Sequence, residues 1–378
     1  MDLVEKLETP VFVYDERRLE ELLGVAISAK EKAGFDLLYA VKASAYSDVL
    51  EYLGPRIDGF SVSSLFEARF IRSLFPDGEI HYTSPGLRTG EVSEIGEICD
   101  FVSFNSRSQL ERFGTELSNS TSVGIRVNTR ISSVVDPMYD PCRSGSKLGI
   151  PVEELKSVLT STTVDIEGVH IHTNADSVDF GQLLTNVNAL MKAIPETQRL
   201  LWVNLGGGYL FEEADSVDPL VEATANLRQR FASRIFVEPG SGLVRSAGYL
   251  VASVLDLFEV DGAQIAVLDT SVNHMPEVLE FRYQPDVMGQ SDDGIFQYTL
   301  AGSTCLAGDV FGSYRFNSPL ELGSKVVIEE AGAYTIAKAH RFNGINLPNV
   351  AVIGLDGSCK IRKTSTFENF VNQWTSNE

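Results

Sequence analysis

The sequence predicts an α/β protein: a (β/α)8 barrel of the TIM type followed by a mainly antiparallel β domain. Three observations predict it. Eight short apolar runs alternate with amphipathic stretches. Polar and reactive residues stand directly after those runs. Beyond about residue 245 the helical patterns give way to β-rich runs with Gly-, Asp- and Asn-containing turns. A chain of 378 residues is long enough for more than one domain.

Taken in order, Thr9–Tyr14 reads as a strand that precedes the barrel and is expected to join the β domain. The eight runs follow: Leu37–Val41, Gly59–Val62, Ile80–Thr83, Phe101–Phe104, Val123–Val127, Ile166–Ile171, Leu201–Leu205 and Arg234–Val237. Between them lie stretches such as Ser64–Leu74, Ser106–Phe113, Val152–Leu159 and Gly181–Ala193, with apolar residues three and four apart. Short runs without alternation, separated by helices, indicate a parallel sheet buried on both faces. A doubly wound sheet is the competing architecture. The residues just after the runs (Lys42, Ser63, Ser84, Asn105, Asn128, His172, Gly206 and Glu238) favour the barrel, which gathers all eight carboxyl ends at one mouth. In the last third, Tyr249–Leu257, Ala263–Leu268, Gln297–Ala301 and Lys325–Glu329 read as strands. The expected domains are an N-terminal strand segment over 1–22, the barrel over 23–245 and the β domain over 246–378.

Hydrophobic residues at 43% and charged residues at 22% describe a soluble globular chain. No run approaches the ~18 apolar residues of a membrane span, and Met1–Lys6 lacks the basic-then-apolar order of a signal peptide, so the expected location is cytoplasmic. The balance of 31 basic against 52 acidic residues leaves a charge of −21. That charge repels nucleic acid and anionic membranes, so neither is an expected partner. It suits a cationic substrate, although acidity also serves solubility. Cys99, Cys142, Cys305 and Cys359 form no CxxC pair, which gives no sign of a zinc site or a disulfide framework.

Several residues carry possible chemistry. Lys42 ends the apolar strand Tyr39-Ala40-Val41. It is either a solvated surface amine or, at a barrel mouth, a partly desolvated one suited to imine formation. Gly206-Gly207-Gly208 follows Val203-Asn204-Leu205. It is either a tight turn or a phosphate cradle, and it matches neither a dinucleotide fingerprint nor a Walker loop. Glu238, in Val237-Glu238-Pro239-Gly240, is a base, a metal ligand, a partner for a ring N–H or half of an ion pair. His170 and His172 share a strand face, yet no second ligand pair accompanies them and no metal is expected. Cys305 and Asp309 in Gly302–Asp309, and Tyr334 in Glu330–Thr335, would not attract notice alone.

Together these stretches resemble the fold-type III pyridoxal-phosphate decarboxylases, the alanine racemase-like group that includes ornithine and diaminopimelate decarboxylases. The resemblance runs in chain order through YAVKA, the stretch Ser64 to Glu67, SKLG (Ser146–Gly149), HIH, GGG, EPG, STC and AGAY. Within that group, Leu268–Ser271 with His274–Glu280, and Cys305–Val310, resemble the carboxynorspermidine decarboxylases. The resemblance implies pyridoxal 5'-phosphate as cofactor, held by Lys42 as an imine. Its phosphate would lie on Gly206, Gly207 and Gly208 with help from Tyr334 and, where this chain departs from the family pattern, from Ser241, its ring under His172, and its ring nitrogen against Glu238. A protonated ring nitrogen is the electron sink for decarboxylation, so a glutamate there favours loss of CO2 over racemisation. Cys305 would reprotonate the α-carbon. Glu277, Glu280, Asp309 and Asp176 would bind the distal ammonium groups of the substrate. The resemblance also implies a homodimer with shared active sites, in which Cys305 and Asp309 act in trans.

Two stretches depart from the family pattern. The histidine strand continues His172-Thr173-Asn174-Ala175-Asp176, where a Cys-Glu pair is usual, and the EPG stretch continues Ser241-Gly242, where an acidic residue or an arginine is usual. The expected reaction is decarboxylation of carboxynorspermidine or carboxyspermidine. The alternatives are another aminocarboxypropyl substrate in a siderophore, peptide or nucleotide product, and a non-catalytic cofactor carrier.

Overall fold

The structure, a computed structural model, describes residues 4–117, 120–134, 136–231 and 233–376. The chain divides into two compact units, one built from the residues up to Glu20 and from Val244 onward, the other from Glu21–Leu243.

The Glu21–Leu243 unit is a closed parallel barrel. Its strands, in sequence and in spatial order, are Asp36–Ala40, Gly59–Val62, Glu79–Ser84, Phe101–Phe104, Ser122–Asn128, Gly168–Ile171, Trp202–Asn204 and Arg234–Val237. The last pairs with the first, with Phe236 beside Asp36, and closes the ring. A two-residue strand, Ile150–Pro151, adds beside Ser122–Asn128. Local chemistry sets where several outer helices begin. Ser64 accepts from the Glu67 N–H while the Glu67 carboxylate accepts from the Ser63 N–H (2.7 Å), so the SxxE stretch works as a helix cap over Leu65–Leu74. Ser106 and Gln109 repeat the device at Arg107–Phe113.

The barrel interior is layered, because residues two apart on a strand face the same side. Toward the amino ends lie Leu38, Trp202 and Phe236 with Phe101 against them. The Trp202 indole occupies the space left by Gly124 and Gly168, where any Cβ would overlap its rings. His81 stacks on Phe101 with centroids 4.2 Å apart. Two residues further along the same strands stand Ser61 after Gly59, Arg126 after Gly124, His170 after Gly168, Asn204 after Trp202 and Glu238 after Phe236. An aromatic floor thus underlies a polar upper layer.

The other unit is a mainly antiparallel sheet in the order Val310–Phe316, Phe296–Ala301, Ala263–Leu268, Gly248–Val260, Val11–Asp15, Asn349–Ile353 and Cys359–Lys363, with Lys325–Ile328 also on Gly248–Val260. The N-terminal strand Val11–Asp15 lies antiparallel to Gly248–Val260 and parallel to Asn349–Ile353. Val11 and Val13 pack with Val251, Ala351 and Ile353 on one face, and Phe12 packs with Leu250, Leu268 and Phe311 on the other. The strands Val310–Phe316, Asn349–Ile353 and Cys359–Lys363 go beyond those read from sequence. Cys359–Lys363 is a sheet edge in which Cys359 and Ile361 alternate with Lys360 and Arg362 over only five residues, too short and too charged a run to stand out as a strand.

Candidate active site

The polar upper layer of the barrel holds most of the residues singled out from sequence. Lys42 sits in the short turn Val41–Ala43 after the first strand. The Ala40 N–H donates to the Pro239 carbonyl (3.1 Å), which holds the Lys42 turn beside the Glu238 stretch. Lys42 is open to solvent, yet protein encloses it on most sides. This desolvation lowers its pKa from the ordinary lysine value, Arg126 lowers it further, and Glu238 and Glu67 oppose the shift. The arrangement favours an uncharged, nucleophilic amine.

Glu238 is 3% exposed. Burial alone would raise its pKa, but His170, the Ser61 hydroxyl, Lys42 and the Asn204 amide outweigh burial and hold the carboxylate below its usual range. Ser61 Oγ donates to Oε2 at 2.7 Å, Asn204 Nδ2 donates to Oε1 at 2.5 Å, and His170 Nε2 lies 3.8 Å from Oε1. His170 is buried and its Nε2 has no hydrogen-bond partner. Burial pushes its pKa down to about 3, so it is neutral at ordinary pH and gains charge only in acid, the range in which Glu238 itself titrates.

His172 is half-buried at the end of the sixth barrel strand, and its Nδ1 accepts from the Gly207 N–H (3.3 Å), which leaves Nε2 to carry the proton. Gly206 and Gly208 adopt positive φ angles of 72° and 84°. A Cβ on Gly207 would strike the Glu238 carbonyl, and one on Gly208 would strike the Asn174 backbone, so the triple glycine is needed for close approach. The Gly206 N–H donates to Asn204 Oδ1 (2.8 Å), whereas the Gly208 N–H has no partner among the described residues. Of the three amides expected to bind phosphate, two thus already donate to protein side chains, Asn204 and His172. Ser241 is buried at the start of Ser241–Val244. Asp176 is exposed, with a left-handed φ of 44°, and Asn174 is fully buried with its Nδ2 unpartnered.

Sequence reasoning missed Ser61, Asn204 and above all Arg126. The Arg126 guanidinium is 8% exposed and makes no hydrogen bond among the described residues. Its charge stands against Glu238 and repels Lys42. The signal was available: Gly-x-Ser, Gly-x-Arg, Gly-x-His, Trp-x-Asn and Phe-x-Glu all place a polar residue two steps above a floor position.

In the other unit, the singled-out residues form a different pattern. Cys305 is exposed, and its N–H donates to Asn343 Oδ1 (2.8 Å). Asp309 is buried with both oxygens in use: Oδ1 accepts from the Val272 N–H (2.8 Å), Oδ2 from the Thr304 N–H (3.0 Å) and from the Thr304 hydroxyl. Glu277 is also buried and accepts from the Thr335 hydroxyl. Glu280 pairs with Lys338. Tyr334 caps the helix Thr335–Lys338 with φ 66°.

A cofactor with an aldehyde, a basic ring nitrogen and a phosphate fits the barrel donor set: a desolvated amine, a buried carboxylate kept ionised, a glycine cradle and an orphaned buried imidazole nitrogen. Ligand atoms of His170, His172 and Glu238 lie within 4.8 Å of one another. However, Ser61 and Asn204 occupy the carboxylate oxygens, and Gly207 occupies His172 Nδ1.

The family model for the pyridoxal-binding domain of pyridoxal-dependent decarboxylases matches residues 25–245. The chain is 33% identical over 373 residues to a carboxynorspermidine/carboxyspermidine decarboxylase of Campylobacter jejuni, covering 92% of this chain and 94% of that protein. It is 32% identical over 379 residues to a carboxyaminopropylagmatine decarboxylase of Synechocystis, covering 98% and 96%. The crystal structure of carboxynorspermidine decarboxylase complexed with norspermidine, from Campylobacter jejuni, superposes with a TM-score of 0.88 at 29% identity, covering 97% of this chain and all of that one.

Proposed function

The chain belongs to the pyridoxal-dependent decarboxylases, and we propose that it removes CO2 from a carboxylated polyamine, carboxynorspermidine or carboxyspermidine. The observation that carries the chemistry is the upper barrel layer, where a desolvated Lys42 faces a buried, ionised Glu238. Bound pyridoxal phosphate supplies the electron sink that lets the bond between the α-carbon and its carboxylate break. Lys42, whose desolvation favours the uncharged amine, would hold the cofactor through its aldehyde. Glu238, fixed by Ser61 and Asn204, would face the ring nitrogen and favour its protonated form. His172 would cover the ring face, and Gly208 with Ser241 would hold the phosphate, a role the resemblance extends to Tyr334. The Cys305 thiol of a second subunit would supply the proton that replaces CO2 at the α-carbon. A cytoplasmic homodimer with shared sites completes the reading. No helix among the described residues is long and apolar enough to cross a membrane.

The polyamine substrate is supported by the names of the relatives and by a net charge of −21, which attracts polycations. The Synechocystis relative favours a second reading, in which the far end of the substrate is a guanidinium. The test is CO2 release by the cofactor-loaded protein on carboxynorspermidine, carboxyspermidine, carboxyaminopropylagmatine, diaminopimelate, ornithine and lysine, with Lys42→Ala as blank. Preference for either of the first two supports the proposal, and preference for the third selects the second reading. Release from none of them, with cofactor bound, refutes both and directs attention to Asn174, Asp176 and Ser241.

A further inference from the structure

Glu277 was expected to bind substrate, but its surroundings assign it other work. It is 5% exposed at the start of the helix Glu277–Phe281, with Oε1 taken by the Thr335 hydroxyl and Oε2 buried without a partner. Thr335, itself fully buried, directly follows Tyr334. Tyr334 holds φ 66° and ψ −30°, a region a tyrosine adopts only under constraint. The constraint comes from both sides. Before Tyr334, the Gly332 N–H donates to the Arg245 carbonyl (3.0 Å), and the Gly332 carbonyl accepts from the Tyr14 hydroxyl (3.0 Å). After it, Thr335 is fastened to Glu277, and Lys338 is fastened to Glu280 on the same helix. The Lys338 ammonium also lies 5.7 Å from the Tyr334 ring centroid and 5.4 Å from that of Phe281.

We propose that Glu277 is a positioning residue: through Thr335 it clamps the Tyr334 turn in its left-handed conformation and so sets the affinity for the cofactor phosphate, without touching the substrate. This rests on the reading of Tyr334 as a phosphate-binding residue. Glu280 and Lys338 form the outer half of the same clamp.

The test is an equilibrium titration of the cofactor-free protein with pyridoxal phosphate, followed by absorbance, alongside KM for the polyamine substrate. Tyr334→Phe is expected to weaken cofactor binding about tenfold, the worth of one hydrogen bond to a charged group. Thr335→Val and Glu277→Ala are each expected to weaken it about fivefold to tenfold. The Thr335→Val/Glu277→Ala double variant should be no weaker than either single, because both act through one bond. Glu277→Gln, which keeps an acceptor for Thr335, should restore most of the affinity. Thr335→Val preserves shape and charge, so it carries the test should Glu277→Ala fail to fold. If Tyr334→Phe weakens binding while Thr335→Val and Glu277→Ala do not, the clamp is refuted and the role of Tyr334 stands. If Tyr334→Phe has no effect, both fall. A raised polyamine KM in Glu277→Ala at unchanged cofactor affinity would show direct substrate contact and overturn the proposal.

Discussion

The barrel and the β unit use carboxylates in opposite ways. In the barrel, Glu238 is kept ionised among Lys42, Arg126 and His170, three groups that could carry charge but are each perturbed by burial. In the β unit, Asp309 accepts from Val272 and Thr304, and Glu277 from Thr335. Those carboxylates hold backbone segments in place. The difference teaches that an acidic residue beside a family motif is not by that fact a ligand. What it does depends on what surrounds it: titratable side chains around Glu238, and hydroxyl or backbone donors around Asp309 and Glu277.

The largest expected effect breaks the barrel side of the comparison. Lys42→Ala is expected to lower CO2 release by about 10⁴-fold or more and to abolish the visible absorbance of bound cofactor. Retention of that absorbance would remove Lys42 from its role. Glu238→Gln comes next. An amide cannot satisfy two donors, Ser61 and Asn204, as a carboxylate does, and it cannot hold a proton on a ring nitrogen by charge. Turnover is expected to fall about 10²- to 10³-fold, with the Lys42 pKa falling further once its counter-charge is gone. The pH dependence of cofactor binding would report that fall, and an unshifted profile would show that the two groups are uncoupled.

The third prediction tests the β unit. Asp309→Asn leaves Thr304 or Val272 short of an acceptor and is expected to destabilise the protein by about 1–3 kcal/mol. Turnover should fall through misplacement of the Gly302–Asp309 segment that bears Cys305. KM should change by the same factor for long polyamines and for a short substrate such as ornithine. A selective rise for polyamines would return Asp309 to the substrate and erase the distinction drawn between the two units.

Most of the barrel was legible in the sequence because parallel strands buried on both faces read as continuous apolar runs, and capping serines mark where helices such as Leu65–Leu74 begin. Lys42, His172, Gly206 and Glu238 were legible because each directly follows such a run. Arg126 was not, since it lies within Ser122–Asn128, where a charged residue reads as an interruption. The burial of Asp309 and Glu277 was hidden for a different reason. Their partners Val272 and Thr335 stand 37 and 58 residues away, and no local pattern announces a long-range hydrogen bond. Cys359–Lys363 was missed because edge strands carry charge against aggregation.

The smallest expected effect concerns His170, where the barrel layer meets stability. Its folded pKa is about 3 and its ordinary value is 6.5. Between those values the unfolded chain binds a proton that the folded chain does not, so stability rises with pH across that window. The contribution is fully present above about 6.5 and is lost as pH falls toward 3. Its slope is at most about 1.4 kcal/mol per pH unit. Denaturant unfolding of the cofactor-free protein at pH 7.5, 6.5 and 5.5 should therefore show wild type losing stability faster than His170→Gln between the two lower values. The Glu238 carboxylate works the same way at lower pH, because its folded pKa is depressed and its contribution disappears only as acid protonates it. Equal slopes in the two proteins would mean that His170 takes up a proton while folded. The orphaned Nε2 beside Glu238 would then be a donor to that carboxylate, and the upper layer would carry one more positive charge than its geometry now implies.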